Sequence, residues 1–225
     1  MNVLEREVSQ DGGIACGEQG GVSGLTPEVM TQIYQKQINL VVLQRTLATD
    51  VSDYSRMLVE SKPGLNFRSV LTPERAAESL RSSLPDLHNR AAFIDDVVLL
   101  LEMYSCLFEL DEVGVRLQVL DRAMCPRFHT DKLGCRLVST YLGQGTEWLN
   151  NDDVDRSKLG AGNRGMSDEK SGLYSNPACI QQVNPGDIVL LKGEGWYGND
   201  GAGAVHRSPA VPTGEKRIVL TMDFA

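Results

Sequence analysis

Arg217-Ile218-Val219-Leu220-Thr221-Met222-Asp223-Phe224 has the two-residue period of a β-strand. In extended backbone Ile218, Leu220, Met222 and Phe224 fall on one face, while Arg217, Val219 and Thr221 fall on the other. An arginine on an inward face is costly unless it meets an anion, and its planar fork suits a carboxylate. The competing reading of Arg217 is a plain salt-bridge residue at a strand start.

Upstream of this stretch, strand-type segments recur at 115–120, 136–142, 188–191 and 204–208. Asn184-Pro185-Gly186-Asp187 makes a turn into the apolar run Ile188-Val189-Leu190-Leu191. Glu194 to Gly201 is glycine-rich without the strand-to-helix setting of a phosphate loop, and reads as a hairpin. Residues 150–176 are polar, rich in Asn, Asp and Gly, and too long for a tight turn, so they read as a lid or an insertion.

The first half has a different texture. Residues 1–24 carry glycine pairs and little periodicity, which reads as a flexible leader. Thr26-Pro27-Glu28 and Thr72-Pro73-Glu74 are helix starts, the second helix stopping before Pro85, and 38–43 is a short apolar strand. Over 91–110, Ile94, Val97, Val98, Leu101, Ser105 and Phe108 recur at spacings of three and four, the clearest helix of the chain. Helices followed by short strands predict an α+β fold: a single domain over 25–225, with 25–112 mainly helical support for a β-sandwich over 113–225.

Composition narrows the function classes. The formal charge of −8 over 225 residues leaves no bulk attraction for nucleic acid or an anionic membrane, so the expected partner is a small-molecule or peptide substrate. No run approaches eighteen apolar residues, and the first residues lack a signal-peptide profile, which predicts a cytoplasmic protein. Cys16, Cys106, Cys125, Cys135 and Cys179 are odd in number and form no CxxC pair, so neither a disulfide framework nor a zinc ribbon is indicated.

The three histidines are weighed one by one. His88 sits near a helix end and receives no role. His129-Thr130-Asp131 places an imidazole and a carboxylate two residues apart, on one face of extended backbone, where both can reach one ion. His206 lies in a strand-like segment after a glycine-rich turn, where the pairing of distant strands can bring it to that ion. Cys125 and Cys135 flank His129, which leaves open a thiol-containing zinc site, although spacings of four and six are a poor zinc pattern. Tyr141-Leu142-Gly143-Gln144-Gly145-Thr146-Glu147-Trp148 is a strand running into a glycine turn, and Trp148, Trp196 and Tyr197 read as pocket or packing residues.

The order His129-x-Asp131, strand and glycine turn, His206, then Arg217 resembles the iron(II)- and 2-oxoglutarate-dependent dioxygenase superfamily over residues 113–224. That resemblance implies a double-stranded β-helix (a jelly-roll, cupin-like core) flanked by N-terminal helices. It implies Fe(II) held by His129, Asp131 and His206, with 2-oxoglutarate as co-substrate. Arg217 then matches the group that binds the distal carboxylate of 2-oxoglutarate, and Tyr141 a second hydrogen bond to it. The implied chemistry is oxidative decarboxylation of 2-oxoglutarate to succinate, coupled to hydroxylation or demethylation of a substrate. A cupin-like metal-binding protein without oxygenase activity is the alternative, and a silent sandwich the third reading. The whole chain is also similar to a bacterial protein family of unknown function, from which no substrate follows.

Overall fold

The computed structural model describes residues 15–16 and 20–225. Most of the expected leader lies outside these residues, but Gly20–Gly24 forms a strand that pairs in parallel with Ile38–Leu43. In chain order the strands are β1 (Ala15–Cys16), β2 (Gly20–Gly24), β3 (Ile38–Leu43), β4 (Asn66–Leu71), β5 (Val113–Leu120), β6 (Cys135–Leu142), β7 (Glu147–Leu149), β8 (Gln181–Gln182), β9 (Ile188–Lys192), β10 (Val205–Arg207) and β11 (Arg217–Phe224). The helices are α1 (Thr49–Ser61), α2 (Pro73–Ser83), α3 (Arg90–Phe108) and the single turn α4 (Asp168–Ser171). Two sheets result, one of eight strands in the order β1-β2-β3-β9-β6-β11-β5-β4 and one of three in the order β10-β7-β8.

The fold is mixed α/β around the large sheet. Residues 25–112, expected to be mainly helical, also supply β3 and β4 to that sheet. The signal of β4 is weak because Asn-Phe-Arg-Ser-Val-Leu buries only Phe67 and Leu71, as an edge strand with one open face does. Sequence reasoning also passed over α1, whose buried Val51, Tyr54, Ser55 and Leu58 keep helical spacing among polar neighbours. Pro27–Tyr34, expected to start a helix, forms a 3-10 helix.

The alternation in β11 divides two cores. Ile218, Leu220 and Met222 join Leu137 and Tyr141 of β6, Leu117 of β5 and the buried faces of α1, α2 and α3. Within α3, Phe93, Ile94, Val97, Leu100, Leu101 and Tyr104 are buried, each contributing roughly 1.5–3 kcal/mol by leaving water. Val219 instead packs with Val138, Val189, Leu191, Leu40 and Val42 of the same sheet and with Val183 and Ala204 beside the small sheet. The far side of the small sheet is covered by 150–176, whose Leu173 and Tyr174 pack on Phe128, Leu149 and Val205. That polar segment is a chain of short helical turns rather than an irregular loop. No described helix is long and apolar enough to cross a membrane.

Candidate metal centre

His129 and His206 are partners in an isolated antiparallel bridge, each backbone N–H donating to the other's carbonyl at 3.0 Å. Directly opposed residues project to the same side, so the imidazole centroids lie 4.5 Å apart. Asp131 faces both rings: Oδ1 is 3.9 Å from His129 Nε2, and Oδ2 is 3.6 Å from His206 Nε2. Each ring turns its Nδ1 to a backbone carbonyl two residues upstream, His129 to Arg127 O at 2.9 Å and His206 to Ala204 O at 3.0 Å. With Nδ1–H donating there, each Nε2 lone pair is left free on the side of Asp131, as in histidines that bind a metal through Nε2. Burial pushes the His206 imidazole down to about 4, which keeps it a neutral ligand at neutral pH. The three ligand atoms lie within 4.8 Å of one another, so this donor set fits a divalent cation.

Both histidine backbones are held from the segment 150–176. Asp168, on α4, accepts the Phe128 N–H at 2.9 Å and pairs with Arg207 at 3.2 Å, fastening the neighbours of His129 and His206 to one carboxylate. Arg207 also lies over the Phe128 ring, 4.3 Å from its centroid. On the other side, Glu194 donates its backbone N–H to Asp131 O at 2.8 Å, so the expected 194–201 turn packs against the ligand loop. Gly193 is obligatory at this approach, since a Cβ there would stand 2.0 Å from Leu133 O and 3.0 Å from Asp131 O.

Arg217 is 3 % exposed and opens β11 on the metal-facing side. Its Nε donates to Gln144 O at 2.8 Å, and one terminal nitrogen donates to Thr140 and Thr146 hydroxyls at 3.0 and 3.3 Å. Among the described residues no carboxylate pairs with it, and burial lowers its guanidinium to about 10. A cavity of about 70 Å³ joins this guanidinium to both histidines, with Val138, Val219 and Thr221 in its walls. The glycine turn after β6 exists to wrap the arginine. A Cβ on Gly143, at φ +83°, would stand 3.0 Å from Lys216 O and 3.2 Å from Arg217 Cα, and one on Gly145 would stand 2.1 Å from Val183 O, so glycine is required on both sides of Gln144.

Tyr141 does not share this cavity. Its hydroxyl donates to Asp96 Oδ2 at 2.6 Å, on the helix side of the sheet, where Arg45 holds the same carboxylate at 2.6 and 3.0 Å. Alternation along β6 accounts for this, since Cys135, Leu137 and Tyr141 face the helices while Arg136, Val138 and Thr140 fall on the other side; a bulge between Ile218 and Val219 then turns Leu142 to the helix side as well. Thr140, on the other face of β6, is the residue of this strand that hydrogen-bonds Arg217. Cys135 is likewise buried on the helix side, where burial raises its thiol well above the ordinary range, so it does not share a site with His129. Cys125 is exposed at the cavity rim. Trp148 packs against the second core and Trp196 stacks on Tyr34 and Phe108, while Tyr197 is fully exposed.

Sequence reasoning missed Arg136, whose NH1 donates to Asp131 Oδ2 at 2.8 Å while Nε and NH2 grip Asp223 at 2.6 and 3.0 Å. The signal was present in the alternation, because Arg136 shares the face of Val138 and Thr140 and is paired with Asp223 in the sheet.

Comparison with known proteins agrees with this architecture. The chain belongs to the family described as "Protein of unknown function (DUF1826)", whose model matches residues 24–223. A comparison with curated protein sequences finds no match. Among solved structures, the chain is similar to dioxygenase for auxin oxidation 1 from Arabidopsis thaliana in its 2-oxoglutarate complex, with TM-score 0.51 and 7 % identity over 92 % of each chain. It is also similar to a Pseudomonas putida prolyl-4-hydroxylase, with TM-score 0.45 and 11 % identity over 88 % of this chain and 97 % of that one. HygX from Streptomyces hygroscopicus, with nickel and 2-oxoglutarate bound, gives TM-score 0.46 and 10 % identity over 88 % and 86 %. At such identities the likeness is one of fold alone.

Proposed function

We propose that this protein is a non-haem iron(II) oxygenase that uses 2-oxoglutarate, built on a double-stranded β-helix formed by the two facing sheets. The observation that carries the reading is Arg217: a buried guanidinium without a carboxylate partner among the described residues, opening on the same cavity as His129 and His206. Its hydrogen bonds all go to neutral oxygens, so the charge itself stays unpaired, and a bound carboxylate supplies the missing counter-charge. The Arabidopsis structure of similar fold, which contains 2-oxoglutarate, supports the identity of that anion.

In this reading His129, Asp131 and His206 would hold the metal, beside the cavity that both histidines line. Iron(II) there supplies a site for chelating a 2-oxoacid and activating dioxygen. Arg217 receives the distal carboxylate, its orientation fixed by Gln144, Thr140 and Thr146. Val138 and Val219 line the cavity with apolar surface, which limits water and strengthens the ion pair. The net reaction converts 2-oxoglutarate, dioxygen and a substrate C–H bond into succinate, carbon dioxide and a C–OH group. Demethylation follows where the hydroxylated carbon is a methyl on nitrogen or oxygen.

The test is an anaerobic titration of iron(II) and 2-oxoglutarate, following the visible charge-transfer absorption of the chelate. Wild type should develop the band, Arg217→Ala should need far more 2-oxoglutarate to do so, and His206→Ala should bind no iron. Iron binding without a band would instead identify a cupin-like metal-binding protein.

A further inference from the structure

On the metal-facing side of the large sheet, β4, β5 and β11 align Arg68, Arg116 and Thr221 in one row of directly paired residues. Paired residues on adjacent strands project to the same face, so two arginines stand side by side at the open edge of the site. Like charges in this position repel, and an anion between them relieves the repulsion. Arg116 lines the cavity that holds His129, His206 and Arg217. Its only acidic contact among the described residues is a share of Asp223, at 3.2 Å, and that carboxylate is already gripped by Arg136 through two nitrogens. Arg68 makes no ion pair among the described residues, its Nε reaching only Asn66 Oδ1 at 3.1 Å.

Thr221 gives a second, independent sign. It is 8 % exposed, lines the same cavity, and its hydroxyl has no hydrogen-bond partner among the described residues. An orphaned buried hydroxyl beside an under-partnered guanidinium is a donor pair awaiting an acceptor. The other arginines of the cavity are accounted for: Arg207 by Glu147 and Asp168, Arg136 by Asp131 and Asp223, and Arg217 by the co-substrate proposed above.

We propose that Arg116, Thr221 and Arg68 form an anion subsite, distinct from Arg217, that binds an acidic group of the substrate to be oxidised. The substrate is thus a compound carrying a phosphate or carboxylate, presented to the metal from the β4–β5 edge. This rests on the oxygenase reading for the word substrate, but the subsite itself is measurable without metal or turnover.

The experiment is an NMR titration of the metal-free full chain with inorganic phosphate, and separately with acetate, following backbone amides of Arg68, Arg116 and Thr221. Saturable shifts are expected at these residues, and the tighter of the two anions names the acidic group. Arg116→Gln, at a half-exposed position that tolerates the change, should weaken binding about tenfold. Thr221→Val should weaken it about threefold. Shifts confined to Arg217 and its partners Thr140 and Thr146, or shifts at Arg68, Arg116 and Thr221 that survive Arg116→Gln, overturn the subsite. Displacement of phosphate from these residues by 2-oxoglutarate would assign Arg116 to the co-substrate and overturn the proposal equally. Absence of the iron–2-oxoglutarate band in a protein that still binds phosphate here would instead overturn the oxygenase reading, and the substrate assignment with it.

Discussion

Replacing Arg217 by methionine separates a ligand-binding arginine from a structural one. Holding this guanidinium charged at about 10, below its ordinary value, corresponds to about 3 kcal/mol of unfavourable burial. Its three hydrogen bonds, to Gln144 O and to the Thr140 and Thr146 hydroxyls, return about 1 kcal/mol each. The two contributions nearly cancel, so Arg217→Met should change the stability of the ligand-free protein by less than about 2 kcal/mol. Binding behaves differently. Loss of a charge-assisted contact to a carboxylate costs about 3 kcal/mol, or about a hundredfold in affinity. With anaerobic iron and 2-oxoglutarate at 100 times the wild-type Kd, ligand adds about 2.7 kcal/mol to wild type but only about 0.4 kcal/mol to the variant. In a thermal melt of a chain this size, that is a rise of about 5 to 10 °C against about 1 °C. A variant that keeps the full rise, or that melts far lower without ligand while binding 2-oxoglutarate normally, would refute the reasoning and make Arg217 a structural residue.

Three further outcomes follow from the same geometry. Arg136→Gln should lower metal affinity about 10- to 100-fold, measured by competition with a chromogenic chelator, because Asp131 loses the donor that orients its carboxylate. Tyr141→Phe should cost about 1 to 3 kcal/mol in a urea melt by breaking the contact to Asp96, yet leave the 2-oxoglutarate titration unchanged; a loss of co-substrate affinity would restore the role first expected of it. Gly193→Ala should destabilise the protein by about 2 kcal/mol and weaken metal binding together, since the new methyl group presses on the Leu133 and Asp131 carbonyls; unchanged metal affinity would show that the ligand loop is not held from this side.

The local period of β11 was enough to assign its faces, and the structure keeps that division, with Ile218, Leu220 and Met222 on the helix side and Arg217, Val219 and Thr221 toward the cavity. The helix over 91–110 was equally legible, observed as Arg90–Phe108, because its apolar positions repeat for five turns and need no partner to be recognised. His129 and Asp131 could be grouped because two residues of extended chain project to one side.

What no local pattern contained were the relations between distant strands. The bridge that sets His129 opposite His206 spans 77 positions and is decided by sheet packing around Phe128, Asp168 and Arg207. In β6 the local period already puts Thr140 beside Arg217 and Tyr141 against α3; what lay outside it was the bulge that turns Leu142 to the helix side as well. The strands contributed by the first half were obscured for a related reason, since β4 is an edge strand whose metal-facing side carries Arg68 and exposed Val70 rather than a buried alternation. The sequence by itself determined which residues are apolar on which face. Only the tertiary structure decided which faces meet, because pairing register and bulges are set by contacts between segments that share no local signal.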